Sequence, residues 1–234
     1  MKIIRVLARW FVVLCVPLLL LSATIGAAFN SIWIYTSGFD KYDVAAELEI
    51  SDAELKHFAQ ELIVYFNNTH QEYLSIDVTY DNGQTGPLYN QADIRHMRDV
   101  KNLLWLDYYV FAASALYIML YMVVRLVGAY SKFISEVAQR VWNGGLLTLG
   151  ILFFVGFFAA TDFKQFFSVF HEIAFLGGNY TFSVYDPMTI MFPDGFWSDV
   201  ALLVGVAGVA LGLLMTGIGW LILKLVYRRK TVVY

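Results

Sequence analysis

Four stretches of the chain run without Asp, Glu, Lys or Arg: Trp10 to Phe29, Tyr108 to Val124, Val141 to Thr161 and Val200 to Leu223. Their lengths of 20, 17, 21 and 24 residues match the roughly 20 apolar residues needed to cross a hydrocarbon layer about 30 Å thick. The second, the shortest, extends back through Asn102 to Leu106. Each is predicted to be a membrane-spanning helix. Between the first two, the pattern changes register several times. Tyr35 to Val44, rich in Tyr, Phe, Gly and Asp, reads as an irregular interfacial segment. Ser51-Asp52-Ala53-Glu54 is a capping box, after which Leu55, Phe58, Leu62 and Phe66 recur at helical spacing until Asn67-Asn68. Tyr73 to Tyr80 then alternates, with Leu74, Ile76, Val78 and Tyr80 on one face, and Asp81-Asn82-Gly83 turns it into a hairpin. So small a β element must lean on the amphipathic helix or on the bilayer surface. After the third span, Asp162 caps a helix whose Phe163, Phe166, Phe167, Phe170 and Ala174 share one face, and Gly177-Gly178 ends it.

The expected fold is therefore an all-α polytopic membrane protein. It has four transmembrane helices, a small α+β extracytoplasmic domain between helices 1 and 2, and an interfacial amphipathic helix before helix 4. The boundaries read as a cytoplasmic N-terminus at 1–9, spans at 10–29, 102–124, 141–161 and 200–223, outer segments at 30–101 and 162–199, an inner loop at 125–140 and a cytoplasmic C-terminus at 224–234. Composition agrees: of 234 residues, 59% are hydrophobic and 15% charged, against about 45–50% and 25% in ordinary soluble domains. Charge sets the orientation. The three inner segments carry ten basic residues and the single acid Glu136, while 30–107 and 162–199 hold six basic residues and eighteen acids. This positive-inside bias places both termini in the cytoplasm and the two large loops outside. A net charge of −3 with no basic tract away from the membrane ends excludes nucleic acid as a partner. Gly26-Ala27-Ala28 resembles a signal-peptide cleavage site, but an apolar core of about 20 residues exceeds the 7–15 usual there, so the first span reads as a retained anchor. Cys15, the only cysteine, reads as a structural thiol and rules out an internal disulfide.

The four histidines are the candidate chemistry, because imidazole alone titrates near neutral pH in its unperturbed state. His57 lies on the polar side of the amphipathic helix between Glu54 and Glu61, a solvated setting. His70 follows the helix end and suits capping of its carbonyls. His96 stands in the charged run Asp93-Ile94-Arg95-His96-Met97-Arg98-Asp99-Val100, which enters the second span without a breaker. Asp99, three residues on, either orients this imidazole or pairs with Arg95. His171 sits beside the apolar face of the Phe-rich helix, where burial lowers the pKa of an imidazole and calls for a partner. The G-x-S-x-G and H-E-x-x-H patterns are absent, no Cys–His pairing is available outside the membrane, and no two histidines have metal-ligand spacing. Two histidines at a membrane surface without a nucleophile motif suit direct acyl transfer by proton donation and acceptance.

Several motifs, taken in order, resemble the four-span family of bacterial lipoprotein intramolecular transacylases. They are Phe39-Asp40-Lys41-Tyr42, Ala59 to Asn67 ending in Tyr65-Phe66, His96-Met97-Arg98-Asp99-Val100-Lys101, Phe170-His171-Glu172-Ile173-Ala174-Phe175 and Met191-Phe192-Pro193. Asp93, Tyr180 and Thr189 depart from the residues that the pattern favours, the mark of a divergent member. The resemblance implies that His96 and His171 are catalytic. It implies movement of the sn-2 acyl chain of an S-diacylglyceryl cysteine to the cysteine α-amine, giving a lyso-form lipoprotein, with no cofactor and no metal. The implied partners are a diacylated lipoprotein substrate and the lipid bilayer. Asp99 is the orienting candidate for His96, and Arg95, Arg98, Asn179 and Tyr180 are candidates for holding the oxyanion. Two other classes stay open: a non-catalytic sensor or assembly protein binding peptide or lipid, and a metal-dependent lipid hydrolase. The glycines of the fourth span, Gly205, Gly208, Gly212, Gly217 and Gly219, suit close helix packing or a lipid groove.

Overall fold

The computed structural model describes residues 2–128, 130–175 and 182–231. Its elements are α1 (Lys2–Phe29), α2 (Ile32–Lys41), α3 (Val44–Leu48), α4 (Asp52–Asn67), β1 (Asp77–Thr79), β2 (Thr85–Pro87), α5 (Gln91–Gly128), α6 (Tyr130–Thr161), α7 (Phe163–Ala174), α8 (Pro187–Met191) and α9 (Asp194–Thr231). Among the described residues, four helices are long and apolar enough to cross a membrane, and they carry the four charge-free stretches. The protein is thus mostly helical, with one two-stranded sheet. The chain divides into two compact units: Met1–Ile25, Asp107–Phe157 and Leu203–Tyr234 form one, and Gly26–Leu106 and Phe158–Leu202 the other.

In the first unit, small residues let helices approach. A Cβ added to Gly145 of α6 would lie 2.8 Å from the backbone nitrogen of Thr216 and 2.9 Å from the Gly212 carbonyl, both on α9. One added to Gly219 of α9 would lie 2.8 Å from the carbonyl oxygen of Ala138 on α6. Gly208 and Gly212 face leucines of α6, whereas Gly205 and Gly217 face open space. Packing therefore accounts for three of the five glycines of the fourth span. Against α5, α1 sets Phe11 edge-on to Tyr117 at 4.6 Å between ring centroids, and the Tyr117 hydroxyl donates to the Ala8 carbonyl at 3.2 Å. Cys15 is buried beside Ser114, in keeping with a structural thiol.

The second unit is built on α4. Ser51 accepts a hydrogen bond from the Glu54 N–H at 3.3 Å, as the capping box requires. The Glu54 carboxylate does not complete the box. It accepts from the Thr79 N–H at 2.9 Å and so ties the hairpin to the helix. The buried face of α4, Leu55, Phe58, Ala59, Leu62, Tyr65 and Phe66, is the core. Burying one such Leu or Phe side chain contributes roughly 1.5–3 kcal/mol, so this face dominates the unit's stability. The hairpin has the expected face and turn, with Val78 opposite Gly86, Val78 buried, and Gly83 at φ +81. Its paired strands are shorter than the alternation, extended only by a bridge from Tyr80 to Ile50.

One expectation is corrected here: most of Tyr35 to Val44 is helical, in α2 and the start of α3. Its aromatics are spaced for a helix, Tyr35 and Phe39 lying four apart and both within 6.2 Å of the Phe192 ring. The glycine that signalled irregularity is a contact point, since a Cβ on Gly38 would collide with the Phe196 ring.

Candidate functional site

α5 starts on a reciprocal cap. The Asn90 side chain accepts from the N–H groups of Ala92 and Asp93 at 2.7 and 3.1 Å, and Asp93 accepts in return from the Asn90 N–H at 3.0 Å. Asp93 is fully buried, and burial pushes its carboxyl up from the usual range. One helical turn later comes His96, 7% exposed. α7 starts on the expected Asp162 cap, whose carboxylate accepts from the Gln165 N–H at 2.9 Å. His171 lies in its last turn, and the N–H of Phe175 closes that turn on the His171 carbonyl at 2.8 Å.

The two imidazoles meet. Their ring centroids are 6.1 Å apart and their planes 16° from parallel. Phe175 bridges them, 4.9 Å from His96 and 5.3 Å from His171, while Phe182 lies 5.2 Å from His96 and Phe167 4.2 Å from His171. Trp197, near the start of α9, stacks on Phe167 at 6.1 Å. The His171 Nδ1 lies 2.8 Å from the Phe167 carbonyl oxygen. A carbonyl only accepts, so this contact is a hydrogen bond when Nδ1 carries the proton, which puts the lone pair of the neutral ring on Nε2. Burial holds the His171 pKa below the ordinary histidine value, with the Phe167 carbonyl and the Asp194 charge opposing in part. Burial therefore favours the neutral ring.

The supporting residues sort differently from the sequence expectation. Asp99 pairs with neither of its two expected partners. Its carboxylate lies 3.3 Å from the guanidinium of Arg98, which also reaches Glu72 at 3.4 Å and the Tyr73 hydroxyl at 3.0 Å. Arg98 is thus committed to the loop after α4, and Arg95 is exposed. Asn179 and Tyr180, like Gly177-Gly178, fall outside the described residues. His57 is exposed, as expected. His70 is also exposed, and its expected capping role belongs to Lys101. The buried Lys101 ammonium donates to the carbonyls of Asn68 and Gln71 and lies 4.3 Å over the Tyr65 ring, with burial lowering its pKa. Sequence reasoning missed Phe167, Phe175 and Phe182 as walls of the site. The four-residue steps from Phe167 to His171 to Phe175 carried a signal, whereas Phe182 had none. Among the described residues no three His, Cys, Asp or Glu side chains come together as a metal site would require.

A family model described as lipoprotein intramolecular transacylase Lit matches residues 10–197. The fold is similar to the in meso structure of the membrane-integral lipoprotein intramolecular transacylase Lit from Bacillus cereus. The TM-score is 0.74 at 17% identity, covering 96% of this chain and 98% of that one. A variant of that protein with one histidine replaced by arginine superposes at a TM-score of 0.71 and 20% identity, covering 96% and 93%. A curated protein of Aquifex aeolicus described as uncharacterized is 26% identical over 132 residues, 56% of each chain, so the chain spans about half the length of the curated relative it matches.

Proposed function

This chain belongs to the lipoprotein intramolecular transacylase family, Lit, and from that membership and the paired imidazoles we propose that it moves the sn-2 acyl chain of an S-diacylglyceryl cysteine onto the α-amine of the same cysteine. One observation carries the assignment of roles: the His171 ring, with Nδ1 2.8 Å from the Phe167 carbonyl oxygen, stacks 6.1 Å from His96 among phenylalanines.

The α-amine of a polypeptide has a pKa of about 7.7–8.0, so much of it is protonated at pH 7 and must lose a proton before it attacks. The fraction that has given that proton to solvent is the nucleophile, and His171 Nε2 takes the next proton, the one the amine nitrogen sheds on becoming an amide. The amine nitrogen bonds to the ester carbonyl carbon, the carbon–oxygen bond to glycerol breaks, and the glycerol oxygen leaves with a proton from the imidazolium form of His96. From the free amine, the proton gained by one ring equals the proton given by the other and exchange between the rings restores them; an amine that starts protonated has released one further proton to solvent. No external nucleophile is needed, because amine and ester belong to one molecule. Holding them together supplies the proximity that otherwise costs roughly 7–11 kcal/mol of barrier. Aromatic walls exclude water, which would divert the acyl group to hydrolysis. With Arg98 committed elsewhere and Arg95 exposed, the His96 cation is the positive group that faces the developing oxyanion.

The Phe-rich face of α7, with Phe170 and Ile173 exposed, lies in the outer membrane interface and presents the site to the lipid-anchored substrate. Both termini are cytoplasmic. Expression in a bacterium that makes only diacylated lipoproteins, followed by tandem mass spectrometry of a lipoprotein N-terminal peptide, tests the reading. The expected product carries one acyl chain on the amine and one on glycerol. An unchanged diacylglyceryl terminus, with the protein present in the membrane, would refute it.

A further inference from the structure

The unit built on the four long helices carries a cluster of charge that the acyl transfer does not use. Glu136 of α6 spans two guanidinium groups, with Oε1 3.1 Å from Arg9 Nη2 of α1 and Oε2 2.5 Å from Arg125 Nη2 of α5. Its side chain is 17% exposed. Arg140, one turn further along the same face of α6, has no acid within ion-pair range among the described residues. The Nε atoms of Arg125 and Arg140 are both buried without a hydrogen-bond partner. Arg9 and Arg125 therefore share the Glu136 carboxylate and Arg140 adds a third guanidinium one turn away, an excess of two positive charges.

Nothing in the unit neutralises that excess. Its only other acid is Asp107, which precedes Arg125 on α5 by 18 residues, roughly 27 Å along the helix. The same helices present Leu7, Val127 and Ile134, each two residues from a member of the cluster and so on another face, at 62%, 84% and 60% exposure, a surface that acyl chains cover. An excess of guanidinium on helices whose other faces are apolar matches a phosphodiester, which accepts planar, charge-assisted pairs of hydrogen bonds. We infer that Arg9, Arg125 and Arg140, arranged around Glu136, form a binding site for the phosphodiester headgroup of an anionic phospholipid in the leaflet at the basic end of the helices. A lipid is favoured over a free anion because the exposed aliphatic side chains of the same helices hold acyl chains beside the cluster.

Native mass spectrometry of the purified full chain tests this, with phosphatidylglycerol, phosphatidylcholine and inorganic phosphate as probes. Phosphatidylglycerol adducts are expected to survive at activation energies that strip phosphatidylcholine, and millimolar phosphate is expected not to displace them. Arg140→Gln should weaken phosphatidylglycerol retention about fivefold, the effect of one basic side chain at a charged membrane surface. Glu136→Gln removes the competing carboxylate and should strengthen retention, a gain that general destabilisation cannot produce. Arg140→Lys, the variant that best conserves the charge, should fall between wild type and Arg140→Gln. Equal retention of the two lipids, displacement by phosphate, or retention unchanged in Arg140→Gln would each overturn the assignment.

Discussion

A neutral imidazole beside an aromatic wall must answer to pH in a defined direction. The pKa of His171 is lowered in the folded protein, so the pH–rate profile for kcat/KM is expected to show the substrate α-amine at about 7.7–8.0 and, below about 6.5, a second acid ionisation from His171. The same shift makes the unfolded chain the better proton binder. His171 therefore contributes stability that is present above about pH 6.5 and lost as pH falls from there through the folded pKa. A second acid ionisation above about 6.5, or one that His171→Gln leaves in place, would contradict the assignment of His171 as base. Lys101 is the second residue with a direct consequence. Lys101→Met fills the space but leaves two carbonyls without their donor, and should cost about 1–3 kcal/mol in denaturant unfolding. An unchanged midpoint would mean that water or a neighbouring donor serves those carbonyls equally well. Both histidines were legible in the sequence, each by its own neighbours. The roles of Asp99 and Lys101 were not, because Arg98 and Lys101 reach Glu72, Tyr73, Asn68 and Gln71, some thirty positions back along the chain.

Helix starts decide where the two rings stand. His96 is one turn beyond the Asn90–Asp93 cap, so Asn90→Ala should loosen the first turn of α5 by about 1 kcal/mol and lower turnover more than substrate affinity. A variant that loses stability but keeps its turnover would show that the bundle alone fixes His96. Capping was also the clearest local signal in the chain: Ser51 and Asp162 accept from the N–H groups three residues on, as their spacing implied. The failure at Tyr35 to Val44 has the opposite cause. Gly and Asp lower helix propensity by roughly 0.5–1 kcal/mol each, yet packing of Tyr35, Gly38 and Phe39 against Phe192 and Phe196 overrides that preference.

For the whole molecule, periodicity and charge carried nearly all the information, because a bilayer forces backbone polar groups into helices and sorts arginine and lysine to one side. The proposed orientation predicts that a cysteine replacing the exposed His57 reacts with an impermeant maleimide in intact cells, while one replacing Lys132 reacts only after permeabilisation, with Cys15 buried in both. The reverse pattern would invert the topology. What the sequence could not disclose was how segments 75 residues apart bring His96 and His171 to face each other. That meeting is the centre of the account. Its most direct test is single-turnover acyl transfer on a synthetic diacylglyceryl lipopeptide by the purified wild type, His96→Gln, His171→Gln and the double variant, each checked for an unchanged unfolding midpoint. Each single variant is predicted to lose about 10²–10⁴-fold in rate, and the double variant little more, because the two rings act as a unit. Either histidine variant retaining wild-type rate, or losses that simply multiply, would contradict a cooperating pair.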